Sequence, residues 1–215
     1  MASTAQQKKF KQPDSFTFTK ANEKKVKAFI AKYPKGKQAS AVMPLLDLVQ
    51  RQNENWIPEA AMKEIARILD MPELQVYEVA TFYTMYNLAP VGKFLVQFCT
   101  TTPCWLCGSG KIVEAVEDHL KIKMGETTKD NNFTLVDVEC LGACVNGPMV
   151  QINDDYYEDL DEKSIVQLLK NLKAGKKPSI GSQTGRVGSC AAAGPTSLES
   201  QAKKAKIDMA KPEEL

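Results

Sequence analysis

Apolar residues in the first third of the chain recur with a helical period. Val26, Phe29, Ile30 and Tyr33 fall at i, i+3, i+4 and i+7, one face of an amphipathic helix over residues 20–33 that Pro34 and Gly36 bring to an end. Ser40 is placed to cap a second helix, with Val42, Leu45, Leu46 and Val49 at the same spacing. Pro44 is tolerable there only because it lies in the first turn. Pro58 suits the first position of a third helix carrying Met62, Ile65, Ala66 and Leu69, and Pro72, just beyond Asp70, opens a fourth. Residues 19–88 therefore predict a helical bundle preceded by an N-terminal extension over 1–18.

After Pro90 and Gly92 the period shortens. Phe94, Val96 and Phe98 alternate with Leu95 and Gln97 in a run ending at Cys99, the pattern of a strand. Ser109 to Leu120 reads as a helix through Ile112, Val113, Val116 and Leu120, and residues 133–139 as a second strand. Residues 149–153 form a third, Asp154-Asp155 a turn with Tyr156-Tyr157 returning as a hairpin partner, and Ile165, Leu168, Leu169 and Leu172 mark a closing helix. The order β-α-β-β-α suits a thioredoxin-like domain over 91–175, so the fold class is α+β: a helical bundle followed by a thioredoxin-like layer. From residue 176 to 215 large apolar side chains are scarce, and the segment reads as an extended tail that orders only on a partner.

Composition narrows the function. The 215 residues carry 28 Lys and Arg against 26 Asp and Glu, a balance that gives no broad electrostatic footprint for nucleic acid or an anionic membrane. No apolar run spans a bilayer, and the first residues lack the apolar stretch of a secretory signal, so a soluble, intracellular chain is expected. Met1 to Lys11 is free of acidic residues but also of arginine, a poor fit to an organellar presequence. In such a compartment the six cysteines point to metal or redox chemistry rather than disulfides.

Cys99 and Cys104 form C-x4-C directly after one strand, and Cys140 and Cys144 form C-x3-C directly after another. If those strands are neighbours, the two loops leave the same sheet edge and bring four thiolates round one centre, which is how iron–sulfur clusters are held. A cluster with four thiolates is anionic, so the loops must supply backbone N–H donors, and Gly108, Gly142 and Gly147 allow close backbone approach. Structural zinc is a rival that the spacings fit loosely. A sharper rival is Cys104-Trp105-Leu106-Cys107, a C-x-x-C between strand and helix where thiol–disulfide oxidoreductases carry theirs, with Pro148 as a candidate active-site proline. Such an enzyme has no need of Cys99, Cys140 and Cys144. Cys190 reads as a free thiol or packing residue in the tail.

Other classes fit less well. No G-x-G-x-x-G follows a strand, and Gly108-Ser109-Gly110-Lys111 lacks the upstream glycine of a phosphate-binding loop. Residues 57–82 could pass for a helix-turn-helix, but Glu73 and Glu78 on the second helix repel phosphate. Tyr77, Phe82, Tyr83 and Tyr86 read as core or interface packing, as does Trp105. The single histidine, His119, excludes Rieske-type ligation, which needs two.

Cys-Thr-Thr-Thr-Pro-Cys at 99–104 and Glu-Cys-Leu-Gly-Ala-Cys-Val-Asn at 139–146 resemble the 24 kDa [2Fe-2S] subunits of respiratory NADH dehydrogenase (complex I), mitochondrial and alpha-proteobacterial types, supported by the stretches at 78–86 and 148–159. The resemblance runs over residues 16–172 and resumes at 185–198. It implies one [2Fe-2S] cluster on Cys99, Cys104, Cys140 and Cys144 in a thioredoxin-like ferredoxin domain, in a chain with no complete active site of its own. It also implies an NADH:ubiquinone reductase whose FMN and NADH sit on a flavoprotein partner that the bundle docks on, with a large iron–sulfur subunit as further partner. The expected place is peripheral to the inner membrane, on the matrix or bacterial cytoplasmic side. Related subunits serve soluble NAD-linked hydrogenases and formate dehydrogenases, an alternative that stays open at this point. Cys107 departs from the family pattern, where Arg is usual.

Overall fold

A computed structural model describes residues 10–186, 188 and 197–205. Cys190 lies outside them. The chain divides into two compact units, residues 1–93 and 94–215.

In the first unit, α1 (Lys20–Ile30), α2 (Val42–Gln52), α3 (Glu59–Leu69) and α4 (Glu73–Phe82) pack around Leu45, Leu46, Val49, Ile57, Ile65 and Val76. Thr19 caps α1, its hydroxyl accepting from the Asn22 N–H at 3.3 Å. Ser40 does not cap α2 as its position suggested: it sits inside a 3-10 turn over Gln38–Ala41 that runs straight into the helix, so the helix start needs no side-chain acceptor. Asp70 ends α3 in the left-handed region (φ 51°), and Pro72 stands just before α4, where its missing N–H costs nothing. Buried Gln50 spans the bundle end, donating to the Met85 carbonyl at 3.0 Å and accepting from the Asn87 N–H at 2.7 Å.

The second unit is a five-stranded mixed sheet in the order β2-β1-β3-β4-β5. Its strands are β1 (Phe94–Cys99), β2 (Phe133–Val138), β3 (Val150–Ile152), β4 (Asp155–Glu158) and β5 (Gly181–Ser182). β1 runs parallel to β2 and antiparallel to β3, with the β3–β4 hairpin beyond. A short helix α5 (Thr102–Leu106) precedes α6 (Ser109–Leu120), and α7 (Glu162–Lys173) follows β4. Val96, Phe98, Leu135, Val150 and Ile152 from the strands share one core with Ile112 and Val116 of α6 and Ile165, Leu168 and Leu169 of α7. The α7 start is fixed by a capping box: the Asp161 carboxylate accepts from the Lys163 and Ser164 N–H groups, and Ser164 Oγ accepts from the Asp161 N–H.

Two elements depart from the expected tail over 176–215. β5 pairs in parallel with Tyr157 and Glu158, and α8 (Glu199–Ala205) forms further on. Backbone bonding to the sheet, not apolar burial, holds β5, which is why hydrophobic patterning does not show it.

Candidate iron–sulfur site

Parallel pairing places Cys99 opposite Val138, so the chain leaves β1 and β2 at the same edge. From β1 it passes Thr101 into α5, which carries Cys104. From β2 it passes Glu139 into Cys140 and then a 3-10 turn over Cys144–Asn146 before the cis Gly147–Pro148 bond leads to β3. The strands expected to be neighbours are neighbours, and the four cysteines come together.

They arrive as two neighbouring pairs. Cys99 and Cys104 are 2% and 1% exposed and share a small buried cluster with Met149, whereas Cys140 and Cys144 are exposed with their sulfurs 3.5 Å apart. Cys144 is close enough to Cys99, and Cys104 to Cys144, for each charge to perturb the other's titration. Among the described residues no three or more His, Cys, Asp or Glu are drawn tightly round a single metal ion. Two pairs, not one tight tetrahedron, is the arrangement.

Hydrogen-bond donors are already aimed at the sulfurs. Burial pushes the Cys99 thiol up, but the Thr101 hydroxyl, the Leu141 and Thr101 N–H groups and the Cys104 thiol outweigh it and hold Cys99 below the usual thiol range. The Leu141 amide belongs to the other loop, so one loop solvates the sulfur of its neighbour. Burial dominates at Cys104 and, with the proton shared with Cys99, pushes it up to about 12, although the Met149 N–H pulls the other way. Cys144 is raised chiefly by sharing a proton with Cys140, whose sulfur also accepts from the Gly142 N–H at 3.4 Å. At the buried Cys99 and Cys104 such donors compensate thiolate charge where water cannot.

The glycines divide in role. Gly142 supplies a donor, and a Cβ on Gly147 would stand 3.3 Å from Cys104 Sγ, so the backbone there lies directly against the sulfur. Gly108 does not approach the site: it makes the turn from α5 to α6 at φ +98°, with nothing near its missing Cβ. Sequence reasoning missed Thr101, Tyr156 and the Leu141 and Met149 amides. Tyr156 Oη donates to the Leu141 carbonyl at 2.9 Å and so steadies the peptide whose N–H, that of Gly142, serves Cys140. Backbone donors have no residue signature, and only Thr101, two positions after Cys99, carried a local hint.

Burial of Cys104 tells against the thiol–disulfide reading. The attacking cysteine of a C-x-x-C enzyme is accessible with a depressed pKa, and Cys104 is the reverse, while Cys107 is exposed at the end of α5. Trp105, Leu106 and Val145 are exposed round the two loops, an apolar rim of the kind that protein partners cover. His119 is exposed and lines, with Lys121, Phe133, Lys170 and Lys173, a groove of about 760 Å³ that includes none of the cysteines. In the bundle Tyr86 is buried, its hydroxyl donating to the Met43 carbonyl at 3.0 Å, while Leu74, Tyr77, Phe82, Tyr83 and Met85 stay exposed. No helix among the described residues is long and apolar enough to cross a membrane.

Comparison with known proteins gives the family of the chain. Residues 26–173 match the thioredoxin-like [2Fe-2S] ferredoxin family. The mitochondrial NADH dehydrogenase [ubiquinone] flavoprotein 2 of Dictyostelium discoideum is 52% identical over 183 residues, covering 85% of this chain and 74% of that protein. An NADH-quinone oxidoreductase subunit of Rickettsia typhi is 54% identical over 156 residues, 73% of this chain and 92% of that one. An NAD+-reducing [NiFe]-hydrogenase shares the fold with a TM-score of 0.55 at 19% identity, over 62% of this chain and only 23% of the hydrogenase chain. The chain thus belongs to the thioredoxin-like [2Fe-2S] ferredoxins, within the family that contains NADH dehydrogenase flavoprotein 2 and its bacterial NADH-quinone oxidoreductase counterparts.

Proposed function

We propose that this chain is the one-electron carrier of an NADH:quinone oxidoreductase, with Cys99, Cys104, Cys140 and Cys144 holding its [2Fe-2S] cluster. The observation that carries the ligand assignment is the delivery of the four cysteines to one sheet edge with donors at their sulfurs, the Gly142 N–H on Cys140 at 3.4 Å and the Thr101 hydroxyl 3.3 Å from Cys99 Sγ. A neutral dithiol has little use for them; a thiolate-bound anionic cluster requires them.

A [2Fe-2S] cluster supplies storage for a single electron, whereas a hydride delivers two. The residues of this chain do the rest. Cys99 and Cys104, with Met149 against them, close one side to water, while Cys140 and Cys144 remain at the surface. Exchange with the flavin of a partner subunit therefore runs through the side that carries the exposed pair, and Trp105, Leu106 and Val145 form the rim that seals against that partner. The exposed Tyr77, Phe82 and Met85 of the bundle offer a second apolar surface, which fits docking on the flavoprotein. Family membership at 52% and 54% identity favours the respiratory complex over a soluble hydrogenase, whose likeness is one of fold. With such partners the chain sits peripherally at the inner membrane, on the matrix or bacterial cytoplasmic side.

Anaerobic purification with iron and acid-labile sulfide assays, and electron paramagnetic resonance before and after dithionite, tests the assignment. Equal iron and sulfide, a signal only on reduction, its loss in Cys140→Ser and its retention in Cys107→Ser are expected. Zinc without sulfide, or a titratable Cys104–Cys107 disulfide, would refute it.

A further inference from the structure

The loop that carries Cys140 and Cys144 is exposed, and its own turn makes two backbone bonds, the Asn146 N–H to the Ala143 carbonyl at 3.1 Å and the Gly147 N–H to the Cys144 carbonyl at 3.4 Å. Groups outside the loop add to its hold. Glu158 takes a hydrogen bond from Asn146 Nδ2 at 2.8 Å, and the Asp159 N–H donates to the Asn146 carbonyl at 2.8 Å. A further tether comes from the segment that sequence patterning reads as tail. β5 lies along β4, and the Gln183 N–H continues the pairing to the Glu158 carbonyl at 3.0 Å. Ser182 Oγ donates to the Asp159 carboxylate at 2.6 Å and accepts from the Arg186 N–H at 3.0 Å. Arg186 then pairs with Asp159 at 3.2 Å, a carboxylate whose side chain is only 7% exposed, and Nη2 donates to the Val145 carbonyl at 2.7 Å. Val145 directly follows Cys144.

We propose that Arg186 is a positioning residue for the cluster: the strap over residues 181–186 clips the Cys144 turn to the sheet, and so sets how firmly the outer cysteine pair is held. This rests on the reading of Cys140 and Cys144 as ligands. The bond to Val145 is charge-assisted, hence stronger than a neutral one, and the guanidinium is itself oriented by a carboxylate fixed through Ser182. Removing Arg186 frees the carbonyl beside Cys144 and leaves Asp159 without its cation, while both cysteines stay in place.

The test uses the full chain loaded with its cluster and challenged with an iron chelator, following visible absorbance and the spectrum of the reduced state. Arg186→Ala should lose its cluster about five- to tenfold faster, the factor expected for one partly exposed charge-assisted bond, with shifted g-values. Asp159→Asn should move the same way and Arg186→Lys should recover part of the loss. Lys173→Ala, which removes the ion pair with Asp130, should behave as wild type. Wild-type rates and g-values in Arg186→Ala and Asp159→Asn overturn the proposal, as does a faster loss that Lys fails to rescue and that parallels a loss of sheet signal in circular dichroism. Absence of iron and sulfide from the wild-type chain removes the ligand reading and this proposal together; their presence with unaffected variants removes only this one.

Discussion

Replacing Gly147 by alanine adds one methyl group against the sulfur of Cys104. The backbone accepts it, since Gly147 has φ −70° and ψ 153°, within the region open to any residue before proline. Space is the issue. The new Cβ would lie 3.3 Å from Cys104 Sγ and 3.6 Å from both the Cys104 Cα and the Cys144 carbonyl oxygen, against roughly 3.5–4.0 Å for an unstrained contact. Cys104 is buried against Met149, so the sulfur yields only by shifting within its packing. Overpacking of this kind costs about 1–3 kcal/mol, and the lost flexibility of the unfolded chain returns roughly 0.4–1 kcal/mol. The net loss is about 1 kcal/mol, or a Tm fall of roughly 4 °C for a unit of this size. Global stability should thus barely register a change that displaces the sulfur of Cys104, one of the four proposed ligands. Thermal denaturation of the apo chain should show the small fall, while the reduced, loaded variant should show altered g-values or reduced iron occupancy. Full occupancy with a wild-type spectrum would show that Cys104 is not seated against Gly147 as described, and a loss well above about 3 kcal/mol, the upper end for overpacking, would mean that the loop cannot yield at all.

Tyr156→Phe removes the bond to the Leu141 carbonyl at 2.9 Å; about 1 kcal/mol should be lost, and hydrogen exchange at the Gly142 amide, in the same peptide, should accelerate, an unchanged exchange rate counting against its role. At Asp161, hydrogen bonds from the Ser164 N–H and hydroxyl, then the Lys163 N–H, hold the carboxyl below its usual range. Its contribution is therefore present above the ordinary Asp pKa of about 3.9 and is lost as pH falls through the lower folded value. Asp161→Ala should cost about 1 kcal/mol at neutral pH and converge with wild type in acid denaturation; a difference that persists at low pH would refute the cap. Trp105→Ser, at a residue 65% exposed, should leave stability within about 0.5 kcal/mol but weaken binding to the flavoprotein subunit at least tenfold in calorimetry, as a buried interface aromatic does. Equal affinity would move the partner surface elsewhere.

Much of this molecule is legible from periodicity because burial follows it. Leu45, Leu46 and Val49 turn inward on α2 at helical spacing, and Val96 and Phe98 do so at strand spacing. The cysteines were readable as a group because each pair follows a strand, and parallel neighbours deliver their loops to one edge. Beyond reach were features made of backbone. α5 is one short turn whose main cue is Pro103, and β5 is a pair of small residues held by main-chain bonds. The strap depends on Asp159 and Arg186 meeting 27 positions apart, and nothing in local composition forecasts a pairing at that distance. Ser40 misled for the opposite reason: a good capping residue is idle where a 3-10 turn already supplies the helix start.

The unequal burial of the two cysteine pairs gives the site a direction of traffic. With Cys99 and Cys104 closed off and Cys140 and Cys144 open, a cluster held as proposed would be loaded past the outer thiols and lost by releasing them first. A thiol poison or an oxidant meets the residues in the same order, spending itself on the outer loop while the inner pair stays shielded.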